Sequence, residues 1–219
     1  MQRLDPEGTR VKYQTRLTYT DRPTKAAWIA DKYRAILSGH VLDVGCDQKH
    51  LAKHLPAGAR YLGVDMGPPA DVVVNLDRQE LPFEARSFDT VLCADVLEHL
   101  DRLHDVFDRL CSIARGHVII ALPNPLRNML LALHEGTKGV ALKYYGLPLE
   151  PPPDRHRWFF GYEEAERFLR ERGRRNGFAV EQVEPEERGV PALTNAKGVN
   201  VIDSPNATFG TIWCVLKRD

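Results

Sequence analysis

Acidic side chains stand at or near the ends of four apolar runs in the first half of the sequence: Asp43, Asp65, Asp77 and Asp95. A carboxylate accepts hydrogen bonds from hydroxyl, amine and ammonium groups. Asp65 follows Gly45 by twenty residues, the spacing that brings an acid to the ribose hydroxyls in a nucleoside-binding βαβ unit. Glycine at position 45 allows a ligand to approach the backbone closely. These residue types and spacings predict a site for a nucleoside-like ligand.

Each of these acidic residues also has a purely structural explanation. Asp43 could bind loop amides, Asp65 could cap a turn, and Asp77 could cap a helix, which are common uses of aspartate. Glu98 and His99 could be solvated residues in the first turn of a helix. Taken singly the signals are weak, but their occurrence at one edge of a predicted sheet favours a ligand site.

Two histidines are candidates for the general base that a hydroxyl substrate requires. His99 lies close to the predicted ligand, and His156 lies in the segment 154–158, next to Arg155 and Arg157. Either arginine could bind a phosphate or carboxylate, or could be solvated. Two further histidines rank lower as candidates: His104 and His134.

Alternating strands and helices must position these side chains. Short apolar runs predict strands at 40–46, 60–65, 71–76, 88–93 and 117–122. A first helix is predicted to begin at Asp21 and Pro23 and to close at Gly39, and a crossover helix is predicted to begin at Leu51. An apolar stripe over 96–113 predicts a continuous helix.

The end of the chain predicts a different connection. A helix is expected at 162–175, followed by strands at 178–183 and 209–216 that are joined by a long loop, 185–207. Two final strands with no helix between them indicate an antiparallel edge hairpin. We therefore predict an α/β fold with a doubly wound, Rossmann-like, mostly parallel seven-stranded sheet, an antiparallel edge hairpin, and helices on both faces.

Residues 126–160 interrupt the alternation and predict an insertion that covers the substrate. A small helix is expected at 127–134, before a segment rich in glycine and proline. Four aromatic residues could form substrate-binding walls or the insertion's own small core: Tyr144, Tyr145, Trp158 and Phe159. The sequence predicts a single domain, 1–219, composed of an N-terminal arm and helix (1–38), a cofactor-binding core (39–125), the insertion (126–160), and a C-terminal helix with edge strands (161–219).

The composition is that of a soluble globular protein without a dominant charge. Among 219 residues, thirty Lys and Arg balance thirty Asp and Glu, so no global field favours nucleic acid or an anionic membrane, and no nucleic-acid partner is expected. No signal peptide and no membrane span are predicted. The cysteines lack paired C-x-x-C spacing, which indicates reduced thiols in the cytoplasm and no metal site. The oligomeric state stays open.

Several motifs resemble those of one enzyme family. Val41-Leu-Asp-Val-Gly-Cys46, Gly63-Val-Asp65, Asp77 before Leu81-Pro-Phe83, and Val96-Leu-Glu-His-Leu100 are similar to class I S-adenosylmethionine-dependent methyltransferases. The resemblance is to the bacterial subgroup that includes the ubiquinone and menaquinone biosynthesis enzymes. It extends over residues 41 to about 125. The flanking residues resemble the family only in the predicted topology of their strands and helices.

The resemblance implies a map of the cofactor site. Asp43 and Gly45 would surround the methionine part of S-adenosylmethionine, and Asp65 would bind the ribose hydroxyls. Asp77 would bind the adenine amine. The remaining implied contacts are adenine packing by Met66 and Leu76, a methyl-donor region lined by Ala94 and Asp95, and the turn residues Cys46 and Asp47.

One turn departs from the family pattern. The family continues Gly-x-Gly after the cysteine, whereas this chain has Asp47-Gln-Lys49. Asp47 could meet the cofactor's ammonium group and Lys49 its carboxylate, or both side chains could point to solvent.

Three functions are compatible with the sequence. The first is methyl transfer to a small-molecule or glycan-type acceptor, with the methylated atom left open. The second is a non-catalytic binding protein of the same fold, which Asp47-Gln-Lys49 supports. The third, a nicotinamide-dependent oxidoreductase, is less favoured because residues 45–50 lack the Gly-x-Gly-x-x-Gly motif that a dinucleotide requires.

Overall fold

The strands of the protein form one seven-stranded sheet in the computed structural model, which describes residues 19–135, 146–147, 149–152, 154–187 and 204–219. The sheet order is β3-β2-β1-β4-β5-β7-β6. Strands β1 to β5 are parallel, and β7 runs antiparallel to both β5 and β6. The strands are β1 His40–Val44, β2 Arg60–Asp65, β3 Val72–Val73, β4 Phe88–Ala94, β5 Ala114–Pro123, β6 Phe178–Glu187 and β7 Phe209–Arg218.

Helices cover both faces of this sheet because successive side chains of a strand point to opposite faces. In β5, Val118 and Ile120 pack in the cluster with the second and fourth helices, whereas Ile119 packs in the cluster with the first. This arrangement confirms the predicted fold class. The helices are α1 Arg22–Lys32, α2 Leu103–Ile113, α3 Pro125–Glu135, α4 Tyr162–Arg175 and α5 Pro205–Thr208.

Several predicted elements differ from the structure. Helix α1 ends at Lys32, with Tyr33 as its C-cap, rather than at Gly39. The crossover helix expected from Leu51 is only a 3₁₀ turn, His50–Lys53. The third strand has two residues, because it pairs only with β2 at the sheet edge. Both strands of the final hairpin are longer than predicted.

The predicted helix over 96–113 is broken in two. A 3₁₀ turn, Leu97–His99, is followed by extended backbone at Leu100, and α2 begins only at Leu103. The break is the extended backbone of Leu100, with φ −97° and ψ 132°, which ends the 3₁₀ turn before α2 begins.

Among the described residues, no helix is long and apolar enough to cross a membrane. Several sequence predictions fall outside the described residues: the arm before residue 19, the aromatic residues Tyr144 and Tyr145, and most of the loop before β7.

Candidate active site

The parallel strands bring the predicted residues to one edge of the sheet, because the carboxyl ends of β1, β2 and β4 are neighbours. At the end of β2, the Asp65 carboxylate accepts hydrogen bonds from the backbone N–H of Asp47 at 2.8 Å and of Met66 at 2.7 Å. The turn after β1 is therefore held against the end of β2. These bonds orient Asp65 and leave each carboxylate oxygen with a further lone pair.

Glycine is required at position 45 for two reasons. Its φ of 81° lies in the left-handed region, and a Cβ there would lie 2.2 Å from Cγ2 of Val96. The N–H groups of Gly45 and Cys46 both donate to the carbonyl of Val64, at 2.8 and 3.1 Å. The turn after β1 therefore lies in close contact with the end of β2 and with Val96, two residues after β4.

The two residues that replace the family's glycines keep a glycine-like backbone. Asp47 has a φ of 47° and Lys49 a φ of 55°. Their side chains have partners in the protein: Asp47 lies 2.9 Å from the Arg22 guanidinium, and Lys49 pairs with Asp71. The path of the turn is therefore retained although the side chains differ.

Asp43 is a buried carboxyl group. Its Oδ2 accepts a hydrogen bond of 2.7 Å from the Tyr61 hydroxyl. Burial raises the pKa of Asp43 to about 6, more than the Tyr61 hydrogen bond lowers it, and the charge of Asp65 raises it further. Asp43 and Asp65 therefore form an acidic pair at the ends of β1 and β2.

The residues expected to surround an adenine ring lie beyond β2 and β3. Met66 is 71% exposed, which is high for a large apolar side chain, whereas Leu76 is buried. Asp77 is half-buried, and its Oδ1 lies 3.3 Å from the backbone nitrogen of Arg102. Leu76 also lines a neighbouring cleft of about 370 Å³ that none of the other predicted residues lines.

The end of β4 carries a constrained acidic residue. The N–H of Asp95, which follows half-buried Ala94, donates to the carbonyl of Ala121 at 3.0 Å. The Asp95 carboxylate pairs with Lys25 of α1, and the Lys25 ammonium lies 5.2 Å from the ring centroid of Trp213. Helix α1 thus contributes to the site, which no motif in the sequence indicated.

The structure brings His99 and His156 together, although 57 residues separate them in the sequence. Their ring centroids are 4.5 Å apart and the rings are nearly perpendicular, at 88°. Nδ1 of His99 lies 2.8 Å from Oδ1 of Asp154. Burial and the neighbouring His99 lower the pKa of His156 to about 4, so its ring is neutral at physiological pH.

For Glu98, the structure excludes the alternative of a solvated helix turn. This residue is 1% exposed, because residues 154–158 lie over the 3₁₀ turn: the backbone N–H of Arg157 donates to the carbonyl of Glu98 at 2.8 Å. Burial, and next the charge of Asp95, raise the pKa of Glu98 well above its ordinary value. Its neighbours come from distant sequence, so no local pattern could reveal its burial.

The other candidates from the insertion have partners within the protein. Arg155 donates to the carbonyl of Gly146 at 3.0 Å, and Arg157 lies 3.5 Å from Asp101. Trp158 donates from Nε1 to the carbonyl of Leu100 at 2.7 Å and packs edge-on against His104. Phe159 is 54% exposed. Trp158 therefore holds the insertion against the sheet edge. This contact agrees with the structural alternative, in which the aromatic residues form a small core.

The strand-end residues fit the cofactor implied by the resemblance. Asp65 offers a half-buried carboxylate with remaining acceptor capacity, which suits a pair of ribose hydroxyls. Met66 offers an uncovered apolar side chain beside it, which suits the face of an aromatic ring. The residues present are thus chemically suited to a nucleoside.

Comparison with known proteins identifies related sequences. The family model described as "Methyltransferase domain" matches residues 15–183. The ubiquinone biosynthesis O-methyltransferase of Aeromonas salmonicida is 28% identical over 120 residues, which cover 47% of this chain and 50% of the relative. The chain therefore matches about half the length of this curated relative.

Solved structures show the same fold. Magnesium protoporphyrin IX methyltransferase from Synechocystis PCC 6803, with bound S-adenosylhomocysteine, has a TM-score of 0.53 and 18% identity, covering 90% of this chain and 81% of that chain. The small RNA methyltransferase HEN1 has a TM-score of 0.57 and 15% identity, covering 96% of this chain and 27% of that chain. At these identities the likeness concerns the fold alone.

Proposed function

The chain belongs to the methyltransferase domain family, and from this premise we propose that it transfers a methyl group from S-adenosylmethionine to a small-molecule or glycan-type acceptor. The observation that carries the proposal is the convergence of Asp43, Gly45 and Asp65 with the end of β4 at one sheet edge. This is the edge at which open α/β sheets bind ligands.

The proposed donor site uses the residues at the strand ends. Asp65 would bind the ribose hydroxyls, and Met66, Leu76 and Asp77 would contact the adenine. The methionine part would lie along the turn at Gly45, Cys46 and Asp47, near Asp43, Ala94 and Asp95. When bound, S-adenosylmethionine supplies an electrophilic methyl group on a positively charged sulfur, so the chain's main task is to position donor and acceptor in line.

The acceptor would approach from the side of the insertion. Trp158 and the backbone of Arg157 fasten this segment to the 3₁₀ turn after β4, which places His99 and His156 next to Asp95 at the strand end. We propose that these two rings contact the acceptor. The balance of thirty basic and thirty acidic residues supports a small or uncharged acceptor over an RNA.

The retained backbone of the Asp47–Lys49 turn supports a functional donor site over a non-catalytic relative. Both residues adopt the left-handed conformation that the family's glycines provide. The four cysteines are free and buried, which supports the proposed location in the reducing cytoplasm.

The acceptor class is tested with S-adenosylmethionine labelled in its methyl group. The protein is incubated with bacterial extract separated into small molecules, glycans, RNA and protein, and an Asp65→Ala variant serves as the inactive control. Label is expected in the small-molecule or glycan fraction. Label that enters RNA and is lost after ribonuclease digestion contradicts the proposed acceptor, and label no greater than with Asp65→Ala contradicts the activity.

A further inference from the structure

Three side chains with metal-binding atoms converge at the carboxyl end of β4. One ligand atom each of Glu98, His99 and His156 lies within 4.8 Å of the other two. Two come from the 3₁₀ turn after β4, and the third comes from the insertion. The donor site described above does not use Glu98, His99 and His156 together.

The Glu98 carboxyl is buried and only partly satisfied by the described residues. Its Oε2 is buried and accepts no hydrogen bond from any residue in the described part of the chain. Its Oε1 lies 3.7 Å from Nε2 of His99. A buried carboxyl group without a counter-charge either holds a proton or binds a cation, because an isolated charge is strongly disfavoured away from water.

The hydrogen bond between His99 and Asp154 determines which ring nitrogen can bind a cation. With Oδ1 of Asp154 as the acceptor, Nδ1 of His99, 2.8 Å away, is the donor of this hydrogen bond. Nε2, on the side of Glu98, is then the ring nitrogen available to a cation. A carboxylate that holds the far nitrogen of a histidine in this way is the arrangement that commonly orients metal-binding imidazoles.

We propose that Glu98, His99 and His156 bind a divalent metal ion. Two imidazoles and one carboxylate are the donor set of mononuclear catalytic sites, in which three protein ligands leave further positions open. Mixed nitrogen and oxygen donors favour Mn²⁺ or Zn²⁺ over Ca²⁺. This assignment replaces the expectation of no metal and gives the two histidines a role other than general base.

The geometry requires only a small adjustment. Ligand atoms at about 2.1 Å from a tetrahedral ion lie about 3.4 Å from one another, compared with 3.7 Å between Glu98 and His99 and at most 4.8 Å across the cluster. Rotations of the side chains supply this difference. His99 retains a 22% exposed side chain, so an outside ligand has access to the ion.

The role of the ion rests on the proposed function. A hydroxyl acceptor bound to the ion would lose its proton to water more easily, since a metal lowers the pKa of a bound hydroxyl. Its oxygen would then form a bond to the methyl carbon while the carbon–sulfur bond breaks. The electron pair of that bond stays on sulfur, which leaves neutral S-adenosylhomocysteine.

Metal binding is tested directly on the full chain after removal of metals with EDTA and dialysis. Mn²⁺ is titrated while electron paramagnetic resonance measures the free ion, and Zn²⁺ and Mg²⁺ are added as competitors. One Mn²⁺ per chain is expected. Asp154→Asn, a half-exposed position that should not disturb folding, is expected to weaken binding about 10- to 100-fold, and Glu98→Gln and His156→Gln should weaken it further.

An exposed histidine far from the cluster provides the matched control. His54→Gln should leave the affinity unchanged. No stoichiometric binding by the unmodified protein, or equal affinity in Glu98→Gln and His156→Gln, overturns the proposal and leaves a proton on Glu98. Titration with S-adenosylhomocysteine in EDTA separates the two claims: donor binding without metal binding refutes only the metal site, and metal binding without donor binding refutes only the proposed function.

Discussion

At the scale of single residues, the charge state of Asp43 links the site to stability. Burial raises its pKa from 3.8 to about 6, so the folded state holds the proton more tightly than the unfolded state. The stabilisation of the folded state by this proton is fully present below pH 3.8 and is lost as the pH rises through about 6. The difference between 3.8 and about 6 corresponds to roughly 3 kcal/mol.

Asp43→Asn should therefore change the pH dependence of unfolding. Its amide oxygen can still accept from Tyr61, but it does not ionise. The free energy of unfolding of Asp43→Asn, relative to the unmodified protein, is expected to rise by a few kcal/mol, roughly 3, between pH 4 and pH 7. Urea unfolding at several pH values measures it, with exposed Asp31→Asn as the control for loss of a charge. A constant difference across this range would contradict the assignment.

Lys49 tests whether the turn has a glycine-like backbone. Lys49→Gly and Lys49→Ala both remove the ion pair with Asp71, so their difference isolates the backbone conformation at a φ of 55°. Glycine is expected to be more stable than alanine by about 1 kcal/mol. Chemical denaturation of the two variants measures this, and an alanine variant as stable as the glycine variant would show that the turn is not left-handed.

The sequence predicted the strand-end acids but not their neighbours. Asp43 and Asp65 follow recognisable apolar runs, whose parallel arrangement brings them to one edge. The sequence did not predict the contacts of Lys25, Tyr61 and Asp154, because each residue meets its partner only in the folded chain. Local spacing contains no information about these contacts.

At the scale of elements, the attachment of the insertion to the sheet edge can be measured. Trp158→Phe keeps an aromatic ring but removes the hydrogen bond to the carbonyl of Leu100, at a cost of about 1 kcal/mol. Local opening then exposes Arg155 and Arg157 to trypsin, and cleavage there is expected to be about fivefold faster. Trp28→Phe, at a half-buried position of α1 itself, should not accelerate these cleavages. Unchanged cleavage in Trp158→Phe would mean that this bond does not hold the insertion.

Prediction at this scale succeeded where one hydrophobic pattern corresponds to one element and failed where one pattern spans two. The bounds of β2 and α4 agree with their hydrophobic patterns. The apolar stripe over 96–113 crosses a break in the helix, because both the 3₁₀ turn and α2 bury apolar side chains on the same side. Periodicity alone does not register the extended residue Leu100 that separates the 3₁₀ turn from α2.

At the scale of the whole molecule, the sheet order explains how one edge gathers residues from the entire chain. The order reverses between β1 and β4, which opens a crevice at their carboxyl ends. The turn after β1, the acid after β2 and the residues after β4 meet there, and residues 154–158 of the insertion lie over the 3₁₀ turn after β4. The donor assignment and the metal assignment therefore concern adjacent parts of one crevice.

We expect this crevice to bind S-adenosylmethionine through Asp65. Calorimetric titration with S-adenosylhomocysteine tests this expectation most directly, with Glu171→Ala, an exposed acid on α4, as the matched control. One molecule is expected to bind per chain, with affinity unchanged in Glu171→Ala and weakened at least about tenfold in Asp65→Ala, because hydrogen bonds to a charged group contribute about 1.5–3 kcal/mol. No binding by the unmodified protein, or equal binding by Asp65→Ala, would contradict the account.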